Sequence, residues 1–170
     1  MRAIALGSDD AGFALKEELK RHLQARGLEV LDYGCFTPDP VDYPDVAIPV
    51  ARAVARGEHE RAILICGTGI GMAIAANKVP GAYAAQAHDA HSAARARMSN
   101  DAQILTLGAR VVGVELARSL VDIWLEAEFA GGGSARKVGK IRQAEHEALA
   151  ANDTPTTRDE LPRPRPAATP

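Results

Sequence analysis

Residues 63–78 read ILICGTGIGMAIAANK, an apolar run fit for a buried strand that passes through three glycines into a short helix of small residues. The same alternation recurs along the chain and fixes the kind of fold open to it. Residues 3–7 (AIALG) read as a buried strand. Residues 11–27 follow as an amphipathic helix, with Phe13, Leu15, Leu19 and Leu23 near helical spacing and Gly27 as its stop. A second strand is expected over 28–34, a loop around Pro38, Pro40 and Pro44, and a helix from 45 to 56. Further strands are expected at 61–66, 81–87 and 103–107, with helices at 70–77, 88–98, 111–128 and 134–150. Strands alternating with helices predict an α/β fold: one domain, doubly wound and Rossmann-like, with a five-stranded parallel sheet flanked by helices. In that architecture ligands bind beyond the carboxyl ends of the strands, beside a topological switch point.

The chemistry-bearing residues gather at those ends. The first strand exits at Asp9-Asp10, the third at Cys66-Gly67-Thr68-Gly69, and the fifth just before Arg110. The glycine-rich turn is not a P-loop, because no lysine stands where GxxxxGK[ST] needs one. Nor does it suit a dinucleotide fingerprint, which follows the first strand and not the third. What remains is a turn whose backbone N–H groups, from Gly67 through Thr68, Gly69 and Ile70 to Gly71, could converge on an anion or a developing oxyanion. A cysteine in such a field is biased toward thiolate and can serve as base or nucleophile. On the turn alone, Cys66 reads equally well as a small buried hydrophobe ending a strand. Cys35, in a loop without a glycine cradle, reads as packing.

Composition narrows the alternatives. A net charge of −2 and 4% aromatic residues give no purchase for nucleic acid. No run approaches the roughly 20 apolar residues that span a bilayer. Two cysteines without a CxxC or a His-Cys cluster argue against disulfides and zinc, so a reduced, cytoplasmic protein is expected. The domain is expected over 1–150. Residues 151–170 hold five of the chain's ten prolines and are expected to be a disordered or surface-draped tail.

Six stretches, IALGSDDAG, VLDYG, DYPD, ILICGTGIGMAIAANKVPG, SNDAQILTLGARVVG and GGGSARKV, resemble in order and spacing the ribose-5-phosphate isomerase B family, which includes the galactose-6-phosphate isomerase subunits. The resemblance covers roughly residues 1–145. It implies a metal-free, cofactor-free aldose–ketose isomerase working through a cis-enediolate on a sugar or sugar phosphate. Carried over by position, Cys66 is the base, and Thr68 with the 67–71 turn holds the enediolate; Asp9, Tyr43 and Asn100 position sugar hydroxyls. It further implies a homodimer or homotetramer whose active site is completed by the neighbouring subunit.

The chain departs from that pattern where substrate is gripped. Asp10 stands where the family has histidine, and Ser99 replaces the ring-opening histidine before Asn100. In the phosphate clamp Gly133 and Ser134 replace arginine and histidine, and Lys137 replaces the second arginine, with Arg136 beside it; Arg110 alone keeps the pattern. A carboxylate facing phosphate and the loss of a bidentate arginine both weaken phosphate binding. A serine hydroxyl cannot shuttle a proton near neutral pH without an adjacent base. His88 and His91, on the preceding helix, are read as solvated unless one substitutes. The substrate is therefore expected to differ from ribose 5-phosphate. The readings left open are a sugar-phosphate isomerase with an altered phosphate site, an isomerase for an unphosphorylated or acyclic sugar such as a tetrose 4-phosphate, one subunit of a heteromer, and a non-catalytic sugar-binding descendant.

Overall fold

A computed structural model describes residues 3–152. Strands β1 (Ile4–Ser8), β2 (Val30–Asp32), β3 (Ala62–Cys66), β4 (Ala84–Gln86) and β5 (Ile104–Gly108) form one sheet in the order β2-β1-β3-β5-β4, with every neighbouring pair parallel. The three central strands are buried at all five positions, as a sheet covered on both faces requires. The helices are α1 (Phe13–Ala25), α2 (Tyr43–Ala55), α3 (Ile70–Ala76), α4 (Ala90–Asn100), α5 (Val114–Glu126) and α6 (Gly132–Asn152).

Alternate strand residues feed two cores. Ile4, Leu6, Ile63, Ile65, Leu105 and Leu107 pack against Leu15, Leu19 and Leu23 of α1 and against Leu120, Val121 and Trp124 of α5. On the other face Ala5, Ala62, Leu64 and Ile104 meet Val46, Val50 and Val54 of α2 and Met72 of α3. Among the described residues no helix is long and apolar enough to cross a membrane.

The edge strands are shorter than the sequence suggested. β2 keeps three of the seven residues expected over 28–34, and β4 three of those over 81–87, since only these pair with a neighbour. Helix α2 begins earlier than expected, at Tyr43, because Pro44 falls in its first turn, where its missing N–H costs nothing. Helix α4 begins and ends two residues later than expected. Asp89 caps it by accepting from Ser92 N at 2.8 Å, and Ser99 and Asn100 lie in its last turn. Helix α6 starts at Gly132 and runs past the expected boundary at 150 to Asn152; the rest of the proposed tail lies outside the described residues.

The chain crosses from β2, outside β1, to β3 on the other side of β1, so the connections after β1 and β3 part company above the sheet. This reversal opens a crevice at the carboxyl ends of β1 and β3, where Asp9, Asp10 and Cys66 emerge.

Candidate active site

Cys66 is the last residue of β3 and only 5% exposed. Its Sγ accepts a hydrogen bond from Gly69 N at 3.1 Å, and Thr68 Oγ1 accepts from Ile70 N at 3.3 Å. Two of the five N–H groups expected to face a ligand are thus committed within the turn, and the cradle is narrower than residues 67–71. Gly69 sits at φ +81, and a Cβ there would come within 2.9 Å of the Leu107 carbonyl carbon. Backbone conformation and space both demand glycine at 69. An N–H aimed at sulfur from 3.1 Å complements a thiolate.

The exit of β5 braces this turn. Ala109 N donates to Cys66 O at 2.8 Å and Arg110 N to Gly67 O at 3.0 Å. Gly108 lies so close to Thr68 that a Cβ would approach its carbonyl group to 2.7 Å. The Arg110 side chain runs alongside Gly67, its Nη1 3.4 Å from where a Cβ of that residue would stand.

On the other side of the crevice Asp9 N donates to Ile65 O at 3.2 Å, and Asp9 Oδ1 accepts from Gly12 N at 2.9 Å. Burial pushes the Asp9 carboxyl above its ordinary range and the neighbouring Asp10 adds to this; Gly12 N–H and Arg110 oppose it. Asp10 Oδ1 accepts from Val41 N at 3.4 Å, which ties the loop after β2 to the exit of β1. That loop is held from below by Lys16, fully buried, whose Nζ donates to both Asp32 oxygens at 2.9 and 2.7 Å and to Cys35 O at 2.7 Å. Burial works against the Asp32 charge, but Lys16 and Lys20 hold its carboxyl below the usual range. Cys35 is buried with its Sγ 3.6 Å from Ser8 Oγ, in keeping with a packing role. Tyr43, first residue of α2, lays its ring on Gly71, where a Cβ would come within 2.8 Å of the ring.

One end of the sheet therefore assembles Asp9, Asp10, Tyr43, Arg110 and the turn from Cys66 to Gly71. It does not assemble Ser99, Asn100 or Lys137 with them. Crossover helices run back along the sheet, so the last turn of α4 lies at the amino ends of the strands, about 15 Å from Cys66 across a five-residue strand. There Asn100 lines a cavity of about 250 Å³ with Asn77, Tyr83, Ala102 and, from α6, Val138 and Ile141. Ser99 Oγ is buried and unpartnered in the same turn, and Lys137 is exposed beside Val138.

Two residues at the carboxyl ends went unnoticed or misplaced in the sequence. Gln86, last residue of β4, donates from Nε2 to Thr68 O at 2.6 Å. His88 lies before α4, not on its face, half-buried, with Nε2 3.0 Å from Gly108 N. Gly108 N–H can only donate, so His88 Nε2 accepts and its proton resides on Nδ1. The signal that could have exposed both residues is the rule that strand exits carry function, applied to the weakest strand, AAQ.

A family model described as Ribose/Galactose Isomerase matches residues 4–141. The D-erythrulose-4-phosphate isomerase of Pectobacterium atrosepticum is 54% identical over 150 residues, covering 86% of this chain and 97% of that protein. The ribose-5-phosphate isomerase B of Escherichia coli is 47% identical over 145 residues, covering 85% and 97%. The solved ribose-5-phosphate isomerase B of Clostridium thermocellum superposes with a TM-score of 0.84 at 51% identity, covering 86% of this chain and 99% of that one. With the parallel sheet, the β1/β3 crevice and the Cys66 turn all in place, the chain belongs to the ribose/galactose isomerase family and is a sugar isomerase.

Proposed function

We propose that the protein interconverts the aldose and ketose forms of a four-carbon sugar phosphate, D-erythrose 4-phosphate and D-erythrulose 4-phosphate. The observation that carries this reading is Ser99. Its hydroxyl, buried and unpartnered in the last turn of α4, offers no titratable group where a ring-opening acid is needed for furanoses. In a tetrose 4-phosphate the C4 oxygen is esterified, so no furanose can close and no ring-opening step is required. The name of the Pectobacterium relative agrees with this, although ribose-5-phosphate isomerases B are nearly as similar.

In the proposed reaction the Cys66 thiolate takes the C2 proton of the aldose and returns it at C1, while a proton passes from O2 to O1. Negative charge that builds on the enediolate oxygens meets the remaining N–H groups of the turn, with Thr68 at their edge. Asp9, Asp10 and Tyr43 line the β1 side and take the sugar hydroxyls. The reading includes a second copy of this chain, which brings its own Ser99, Asn100 and Lys137 to the crevice. The separation of these residues from Cys66 along the sheet supports that arrangement. Lys137 and Arg110 then share the phosphate, a weaker grip than a bidentate arginine pair.

Initial rates of the purified chain on D-erythrose 4-phosphate, ribose 5-phosphate and unphosphorylated erythrose test the reading. The tetrose phosphate is expected to have the highest kcat/KM. Faster turnover of ribose 5-phosphate overturns the four-carbon assignment, and faster turnover of erythrose overturns the phosphate.

A further inference from the structure

The peptide unit joining Thr68 to Gly69 is hydrogen-bonded at both ends. Its N–H, on Gly69, donates to Cys66 Sγ at 3.1 Å. Its C=O, on Thr68, accepts from Gln86 Nε2 at 2.6 Å. A carbonyl can only accept, so chemistry fixes which end of the Gln86 amide faces the turn. Gln86 itself lies on β4, beyond β5 in the sheet order, and its side chain is exposed.

We propose that Gln86 is a positioning residue for Cys66, acting on the thiolate through the Thr68–Gly69 peptide. Two physical effects run the same way. The first is orientation. A peptide preceding a glycine at positive φ can rotate about its flanking bonds at little cost, and Gly69 is at φ +81. Rotation by half a turn would aim the Thr68 carbonyl, instead of the Gly69 N–H, toward the sulfur. A donor at Gln86 stabilises only the orientation in which the N–H faces Cys66. The second is polarisation. A donor on the carbonyl draws electron density along the amide and strengthens its N–H as a donor, as in other hydrogen-bonded chains inside proteins. Gly108 contributes the remaining constraint by packing its bare Cα against the same carbonyl.

The inference rests on the proposed role of Cys66 as the base, and its test separates the two. Gln86→Met keeps the length of the side chain and removes the donor. Gln86→Glu keeps the shape and sets an ionised acceptor against the Thr68 carbonyl. The thiolate ultraviolet band is followed against pH for the full chain, subtracting the same protein with Cys66→Ala, so that tyrosines and Cys35 cancel. Steady-state kinetics on D-erythrose 4-phosphate and melting temperatures are read alongside. The thiolate band is expected to develop about half a pH unit higher in Gln86→Met and higher still in Gln86→Glu. In the same order, kcat at neutral pH falls several-fold with KM little changed. Bands that superimpose on the parent in both variants overturn the proposal, whatever happens to kcat, because a merely structural role moves rate and melting temperature but leaves the thiolate alone. If instead Cys66→Ala retains full turnover, the base assignment fails, while a shifted band still establishes the link from Gln86 to the sulfur.

Discussion

Asp9 carries its charge at a cost. Burial and the adjacent Asp10 raise its carboxyl above the ordinary 3.8, against the pull of Gly12 N–H and Arg110. A raised folded value means that the native state binds this proton more tightly than the unfolded chain does. The resulting stability is fully present below 3.8 and is lost as pH rises through the folded value, so ionised Asp9 weakens the fold at neutral pH. Asp9→Asn keeps an oxygen for Gly12 N–H and removes the charge. Scanning calorimetry should therefore find it melting higher than the parent at neutral pH, with the gap closing in acid, while sugar turnover falls; a lower melting point at neutral pH would contradict this account. Cys66→Ala should cut isomerisation and C2 proton exchange by roughly 10²–10⁴-fold, with the circular dichroism spectrum unchanged. The position of Cys66 was legible in the sequence, because four apolar residues lead into it and three glycines follow, whereas its role as base came only with the family resemblance. Gln86 was not, since its partner, the Thr68 carbonyl, is brought to it by topology and leaves no mark in local spacing.

At the scale of elements, the Cys66 turn in the crevice between β1 and β3 is braced where two strand exits meet, those of β3 and β5. Their contact is made by Gly108, where any side chain collides with Thr68 at 2.7 Å. Both partners there are backbone, so neither can swing aside. Gly108→Ala is expected to destabilise the protein by about 1–3 kcal/mol in denaturant titration and to reduce kcat by displacing the Cys66 turn. An unaltered kcat would mean that the two exits move independently. The long central strands and α1 could be read from apolar periodicity alone. The start of α2 could not, because Pro44 reads as a loop residue in sequence and as a first-turn residue in a helix. The shortness of β2 and β4 is likewise a property of their neighbours: a strand at the sheet's edge extends only as far as the strand beside it offers partners.

The molecule as a whole divides its equipment between the two ends of one sheet. Residues 9, 10, 43, 66–71 and 110 stand at the carboxyl end, and residues 99 and 100 at the amino end. If a second copy completes each crevice, Cys66→Ala and Asn100→Ala are each inactive alone. Co-refolded in equal amounts, they should recover about a quarter of parental activity, because half of the dimers are mixed and each of these regains one intact site. No recovery would mean that each chain works by itself. Asn100 entered as a candidate only through the family resemblance, and which end of the sheet it occupies follows only from the direction of α4. Helix α6 gives this division a sharper form. Between residues 132 and 151 of the helix Val138 alone is buried, and the flank that includes Arg136 and Lys137 is exposed. The exposed flank adds little to the folding of its own chain, so mutations along it cost little stability. If that flank, on a second copy, meets the substrate's phosphate, it can drift, or be grafted from a relative, without retuning the Cys66 turn.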